Sequence, residues 1–157
     1  MLVSADALIS LLRSAGPAAE TDFGRQLGTE IGRLVSERLG SVDSASIEEI
    51  AEHLGGELAL LGLGSLTVEQ WGRALVLRFD HCPLAREGAP LLARVIEGAV
   101  QRALSRTVTA VVVDSEEDVV RVALLGGQAA ERVSRWLSSG VGYAEALGRL
   151  QAPGGAA

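Results

Sequence analysis

The stretch that decides the fold is residues 65–80, SLTVEQWGRALVLRFD. Apolar and polar side chains alternate before Trp71-Gly72-Arg73, and a mostly apolar run over residues 74–79 follows it. A period of two residues is typical of β-strands, and a glycine between two such runs is typical of a tight turn. The sequence therefore predicts a β-hairpin. One face of its second strand carries three apolar side chains, those of Leu75, Leu77 and Phe79.

Three helices are predicted before this hairpin. The first covers residues 4–15, and the second is capped by Thr21 or Asp22 and runs to residue 39. The third opens at residues 46–49, where a serine and the glutamate three positions later form a capping box. It ends at Gly62-Leu63-Gly64, which is a helix C-cap and not a nucleotide-binding loop, because a dinucleotide fingerprint needs a strand before its glycines and a helix after them.

The pattern repeats after the hairpin. A helix is predicted over residues 90–105, and a second strand pair over 108–113 and 119–125, turned by an acidic segment. A fifth helix covers 128–139, and a short amphipathic segment covers 143–150.

The order of elements is therefore ααα-ββ-α-ββ-α. Because strands and helices do not alternate as they do around a parallel sheet, the two hairpins should form one antiparallel four-stranded sheet, with helices packed on one face. The predicted class is α+β. We expect residues 1–152 to form a single domain and residues 153–157 to form a flexible tail.

Composition limits the functions open to the chain. It has 157 residues, 48% of them apolar and 22% charged, as expected for a folded domain. Its 14 basic residues, all arginine, are outnumbered by 20 acidic ones, which gives a net charge of −6. Nucleic acids and anionic membranes are recognised by clustered positive charge, so neither is an expected partner.

Cysteine and hydropathy indicate the compartment. The single cysteine excludes an intramolecular disulfide and fits a reducing environment. No apolar run is long enough to cross a membrane, and the N-terminal residues do not resemble a signal peptide. We expect a cytoplasmic protein without membrane insertion.

Three glycines mark a close helix crossing. Gly24, Gly28 and Gly32 are four residues apart on the second helix, so they form one stripe. Each costs about 1 kcal/mol in a helix relative to alanine, which suggests that another backbone needs the space. The crossing lies either within the domain or between subunits, and the stripe is a candidate interface.

A second candidate interface lies on the fifth helix, where Val133, Trp136 and Leu137 form an apolar stripe. Because burial of a tryptophan is worth about 3 kcal/mol or more by the truncation scale, this stripe should pack on the domain or on a neighbouring subunit.

Asp80-His81-Cys82 is the place where an acid, an imidazole and a thiol meet. Consecutive residues of an extended chain point to alternate sides, so the three side chains are not expected to reach one metal ion or one substrate atom. We therefore predict no catalytic residue, no metal and no cofactor. The chain is not expected to be an enzyme.

The chain resembles a known fold in three segments. These are Phe23-Gly24-Arg25-Gln26-Leu27-Gly28, Leu60-Leu61-Gly62-Leu63-Gly64 before a strand, and Val95-Ile96-Glu97-Gly98-Ala99-Val100. In their order and spacing they resemble the fold of 4-vinyl reductase domains, of the small subunits of the TRAPP transport particle and of the D-type subunit of bacterial cellulose synthase.

The resemblance implies two functions. The first is a non-catalytic scaffold or adaptor that forms a dimer or higher homo-oligomer within a larger protein complex. In the cellulose synthase branch that complex is the cellulose secretion machinery. The alternative is a sensor domain that holds a small apolar ligand between helices and sheet. Ligand-binding 4-vinyl reductase domains typically carry a cysteine near the start of the fourth helix and more around the last hairpin. Here Leu91, Leu92 and residues 108–125 contain none.

Overall fold

A computed structural model describes residues 4–40 and 44–152, so the predicted tail at 153–157 lies outside the described residues. Within the described residues the chain forms six α-helices and four β-strands. The helices are α1 Ala5–Ala15, α2 Pro17–Leu39, α3 Ile47–Leu60, α4 Ala89–Leu104, α5 Gly127–Ser138 and α6 Tyr143–Arg149. The strands are β1 Ser65–Trp71, β2 Ala74–Asp80, β3 Thr109–Glu116 and β4 Val119–Leu125. This order confirms the predicted α+β class.

The strands form one antiparallel sheet in the order β1-β2-β4-β3. Gly72 has φ +59° in the two-residue turn between β1 and β2, a conformation that glycine adopts without strain. The two hairpins join through their second strands, with Leu77 of β2 opposite Val122 of β4. The central strands are therefore β2 and β4, and β1 and β3 form the edges.

Helices cover both faces of the sheet, not one face as the sequence suggested. On one face, Leu77 and Phe79 pack with α2, α3 and α4 in the larger core. On the other face, Val76 and Ala123 pack with residues of α5 and α6 in a separate core. The apolar run of β2 supplies both cores because successive strand residues point to opposite faces.

The ends of the helices follow the local sequence, with one difference. The capping box at Ser46 and Glu49 is present, and the backbone N–H of Leu63 donates to the carbonyl of Leu58 beyond the end of α3, in a Schellman motif. However, α2 begins at Pro17 and not at Thr21 or Asp22. Proline is favoured at the first position of a helix, because the N–H that it lacks would have no partner there.

Strand β3 is longer than predicted. It continues to Glu116, and the pairing with β4 shifts between Val112 and Asp114. This irregularity adds one residue to β3, and as a result Asp114 lies opposite Arg121. The acidic segment for which the sequence predicts a turn is thus mostly strand, and the turn itself contains only Glu117 and Asp118.

Candidate functional site

The glycine stripe of α2 lies against α4 of the same chain. A Cβ atom built on Gly28 would overlap the carbonyl oxygen of Val95 and lie 2.9 Å from the amide nitrogen of Ala99. A Cβ atom on Gly32 would overlap the carbonyl oxygen of Ala99, and one on Gly24 would lie 2.7 Å from the Cβ of Arg94. All three glycines are buried. Of the two predicted alternatives, the crossing within the domain is the one that the structure shows. The stripe is therefore not available to a second subunit.

The apolar stripe of α5 also packs within the chain. Val133 is fully buried in the core beneath α5 and α6, and Trp136 and Leu137 lie partly buried at its margin. The guanidinium groups of Arg132 and Arg149 lie 5.2 and 5.7 Å from the centre of the Trp136 ring. The prediction that this helix docks is confirmed, on the body of the domain.

The residues of Asp80-His81-Cys82 point away from one another. Asp80 accepts hydrogen bonds from Arg78, and His81 is exposed with its Nδ1 2.9 Å from the Asp118 carboxylate. The Cys82 side chain is only 2% exposed. Burial raises the pKa of this thiol above its ordinary value, although backbone N–H groups of Leu84 and Ala85 act in the opposite direction. The thiol and the imidazole do not form a nucleophile–base pair.

Glu97 of α4 is a buried carboxylate, although its three-residue spacing from Arg94 is typical of a solvated surface pair. It lies 3.3 Å from Arg94, as its spacing predicts, but it is 6% exposed. Its carboxylate also accepts the backbone N–H of Ala110 at 3.0 Å, and the guanidinium of Arg25 lies 3.8 Å away. Glu97 thus joins α2 and α4 to edge strand β3.

A charge cluster spans all four strands on the face that carries α5 and α6. Its members are two arginines and three carboxylates, namely Arg78, Arg121, Glu69, Asp80 and Asp114. Arg121 lies at its centre, 2.6 Å from Asp114 and 3.4 Å from Glu69, and only 15% of its side chain is exposed. Every carboxylate of the cluster already contacts an arginine. The cluster therefore holds the strands in register, and its carboxylates are not free to bind a ligand.

Two aromatic rings border the charge cluster. Trp71 and Tyr143 meet edge to face at 5.7 Å, and the Arg121 guanidinium lies 5.4 Å from the centre of the Tyr143 ring. Burial lowers the pKa of Arg121, but its hydrogen bond to Asp114 and the proximity of Tyr143 and Glu69 outweigh this effect and raise the pKa above its ordinary value. Arg121 is therefore a permanent cation that attaches α6 to the sheet.

An apolar groove opens between α3, α4 and the sheet, and we call it the α3–α4 groove. Its volume is about 40 Å³. All nine lining residues are apolar: Ile47, Ile50, Ala51, Leu54, Leu75, Leu77, Val100, Leu104 and Leu124. Ile47, at the start of α3, is 53% exposed. The groove has room for the end of one aliphatic side chain, since a cavity that holds a benzene ring measures about 150 Å³.

A larger cleft of about 420 Å³ lies between α1 and the segment before α4. Its walls mix apolar residues with Asp6, Ser10, Arg86 and Glu87. Two of these charges pair with groups elsewhere, because Glu87 contacts Arg13 at 2.7 Å and Arg86 lies 3.9 Å from Glu117. This cleft has the volume of a ligand site but not the apolar lining that such sites usually have.

Within residues 4–40 and 44–152, no three His, Cys, Asp or Glu side chains are grouped as metal ligands would be. In the same residues, no helix combines the length and the apolar character that a bilayer span requires. Comparison of the chain with models of protein families gives no match, and comparison with curated proteins gives none either.

Proposed function

We propose that this chain is a non-catalytic adaptor subunit, which assembles with copies of itself and holds another protein in a larger complex. The observation that carries the proposal is the α3–α4 groove, an apolar surface that opens to solvent. A second protein that covers this surface would remove its apolar side chains from water.

The size of the groove favours a protein over a small molecule. Sites for small ligands usually measure about 300–1,000 Å³ and enclose most of the ligand. The groove offers about 40 Å³ in the position between helices and sheet where the sensor hypothesis places an apolar ligand. A partner that inserts one side chain and lies across the rim fits this shape.

Self-assembly would use surfaces other than those that the sequence suggested. The glycine stripe and the α5 stripe are both occupied within the chain. Apolar surface outside the groove remains at three leucines that are more than half exposed: Leu11 at 65%, Leu60 at 78% and Leu61 at 52%. These side chains, on α1 and at the end of α3, are our candidates for contact between copies.

The larger complex is suggested by the resemblance in sequence. If the chain belongs with the D-type subunit of cellulose synthase, its partners are components of the cellulose secretion machinery. The sensor domain remains the competing function, and one experiment separates the two.

Native mass spectrometry of the purified protein provides that test. We expect masses that are integer multiples, greater than one, of the 16.3 kDa chain, with no bound small molecule. Denaturing mass spectrometry of the same sample provides the control mass of the chain. A monomer that carries a constant additional mass would support the sensor function and contradict the adaptor.

A further inference from the structure

We propose that edge strand β1 pairs with an extended segment of another protein, which lies antiparallel to β1 and carries basic side chains toward α3. This inference rests on the proposed adaptor function and names the class of partner, at a surface separate from the α3–α4 groove. It combines the unpaired backbone groups of β1, the lack of protection along its edge and two carboxylates that flank that edge.

The outward backbone groups of β1 belong to Leu66, Val68 and Gln70. Trp71 and Ala74 enclose the two-residue turn and exchange backbone hydrogen bonds, so every second residue back from Trp71 directs its N–H and C=O toward β2. The three residues between them direct theirs away from the sheet. Within the part of the chain that the structure describes, no other group bonds to these outward N–H and C=O groups. An added antiparallel strand would bond to all of them.

The two edges of the sheet differ in their protection. Natural sheets usually shield their edges against further pairing with bulges, prolines, charged side chains or covering groups. On β3 the pairing shifts between Val112 and Asp114, and the Glu97 carboxylate accepts the outward N–H of Ala110. Strand β1 pairs with β2 without a shift and contains no proline, lysine or arginine. Its one charged side chain, Glu69, is held by arginines of β2 and β4, so the β1 edge is open to another strand.

Two carboxylates of α3 lie beside this edge. A Cβ atom on Gly55 would lie 3.1 Å from the Cβ of Leu66, so this side of α3 faces β1. At about 100° per residue, Ala51, which lines the groove over the centre of the sheet, is rotated about 40° from Gly55 in one direction. Glu48 and Glu52 are rotated about 20° and 60° in the other direction, beyond the edge. Both are exposed, and neither has an ion-pair partner among the described residues.

The position of these carboxylates selects the partner. Directly opposed residues of an antiparallel pair have their side chains on the same face. The side chains of Leu66 and Val68 pack with the larger core, on the face that carries α3. The partner residues that bond to the outward groups of β1 therefore direct their side chains toward α3, where lysines or arginines meet Glu48 and Glu52.

A second copy of the chain fits this edge poorly. Two β1 strands that paired about a two-fold axis would bring both α3 helices together on one face, with Glu48 and Glu52 of each copy toward the other. Like charges oppose this arrangement, and the net charge of the chain is −6. Arg73 lies in the turn, beyond the last outward residue of β1. The favoured occupant is therefore a basic segment of another protein.

The test uses two fluorescein-labelled peptides of seven residues, the length of β1. In one peptide arginine alternates with threonine, and in the other glutamate replaces arginine. Fluorescence anisotropy with the full chain should show that the arginine peptide binds at least about tenfold more tightly, because like charges oppose the glutamate peptide. Equal affinity for the two peptides would overturn the proposal.

Two N-methylated forms of the arginine peptide test whether binding uses the backbone. When the arginines point toward α3, their own N–H groups point toward β1, and those of the threonines point away from it. N-methylation of the arginine amides should therefore weaken binding at least about tenfold, whereas N-methylation of the threonine amides should not. An equal loss from both, or a greater loss from the threonine amides, would contradict the proposed pairing.

Two pairs of variants locate the site on the chain. Glu52→Arg should weaken binding of the arginine peptide about tenfold, whereas Glu131→Arg, the same change on α5, should not. Gln70→Pro removes an outward N–H and should also weaken binding, whereas Gln70→Ala, which keeps that N–H, should not. Urea denaturation identifies the variants that are folded, and equal effects within either folded pair would overturn the proposal. Should Gln70→Pro unfold, the methylated peptides decide the same question.

Native mass spectrometry of the same proteins separates this inference from the function on which it rests. Oligomers of the unchanged chain that do not bind the arginine peptide would overturn the inference alone. A monomer that binds this peptide would overturn the self-assembly alone. Dissociation of the oligomer by Gln70→Pro, but not by Gln70→Ala, would identify a second copy as the occupant of the edge and would also overturn the inference.

Discussion

Among single residues, Gly28 lies so close to the backbone of a neighbouring helix that no side chain fits there. Gly28→Ala should lower the free energy of unfolding by about 1–3 kcal/mol, because the added methyl group overlaps the Val95 carbonyl and α2 must move away from α4. Urea denaturation of the variant measures this loss.

A matched control exists on α3. Gly56 is also helical, but a Cβ atom there would meet nothing within 4 Å. Gly56→Ala should raise the free energy of unfolding by up to about 1 kcal/mol through helix propensity. If both substitutions had the same effect, the two backbones would not be in contact at the α2–α4 crossing.

Glu97 shows where prediction from sequence stops at the residue scale. Its pairing with Arg94 follows from a spacing of three residues on one helix, which sequence alone supplies. Its bond to the N–H of Ala110 depends on the position of edge strand β3 beside α4, and no local pattern encodes this. A glutamate one residue before Gly98, on a helix that is otherwise apolar at its centre, is the one signal that the sequence offers.

At the scale of elements, α5 and α6 form a layer that the sheet requires. Ending the chain after Gly127 would remove this layer and expose Val76 and Ala123, which are fully buried in the intact protein. The lost partners include Val133 and Leu147, and burial of each such side chain is worth about 1.5–3 kcal/mol. We expect a truncated chain that aggregates or unfolds at markedly lower urea concentration.

Point variants on α5 provide the control for this truncation. Val133→Ala should destabilise the intact chain, because Val133 is fully buried, whereas Ser134→Ala, at the next and exposed position, should have little effect. A soluble truncated chain with an unchanged urea midpoint would mean that α5 and α6 contribute nothing to the fold of the sheet.

The elements themselves were predictable, but the face that each helix covers was not. Periodicity identified all four strands, and glycines or caps located most helix ends. The alternation of Val76 and Leu77 was visible, yet an apolar residue on the outer face of a strand does not reveal which helix will cover it. That choice depends on the path of the chain after β4, which the glycines at 126 and 127 leave open.

At the scale of the whole molecule, the class of fold followed from the order of elements, whereas the α3–α4 groove did not. Its nine residues come from α3, β2, α4 and β4, and each of them is typical of a core position. The groove exists only where these four elements meet, so it appears only in three dimensions.

Both faces of the sheet are covered, and this restricts how the molecule can associate. Helices occupy the space that a second sheet would need for face-to-face stacking, and Glu97 occupies an outward backbone N–H of β3. Other proteins are therefore expected to contact the helix surfaces and the edges of the sheet. The α3–α4 groove and the exposed leucines of α1 and α3 are on such surfaces.

The close α2–α4 crossing also determines which part of the chain opens last. With backbone against backbone at Gly28 and Gly98, neither helix can separate locally without breaking the contact along its length. Amide hydrogens of α4 near residues 95–99 should therefore exchange with deuterium only when the entire molecule unfolds, whereas those of α6 should exchange earlier, through partial opening. Native-state hydrogen exchange at increasing urea would reveal this order, and earlier exchange at 95–99 than in α6 would contradict it.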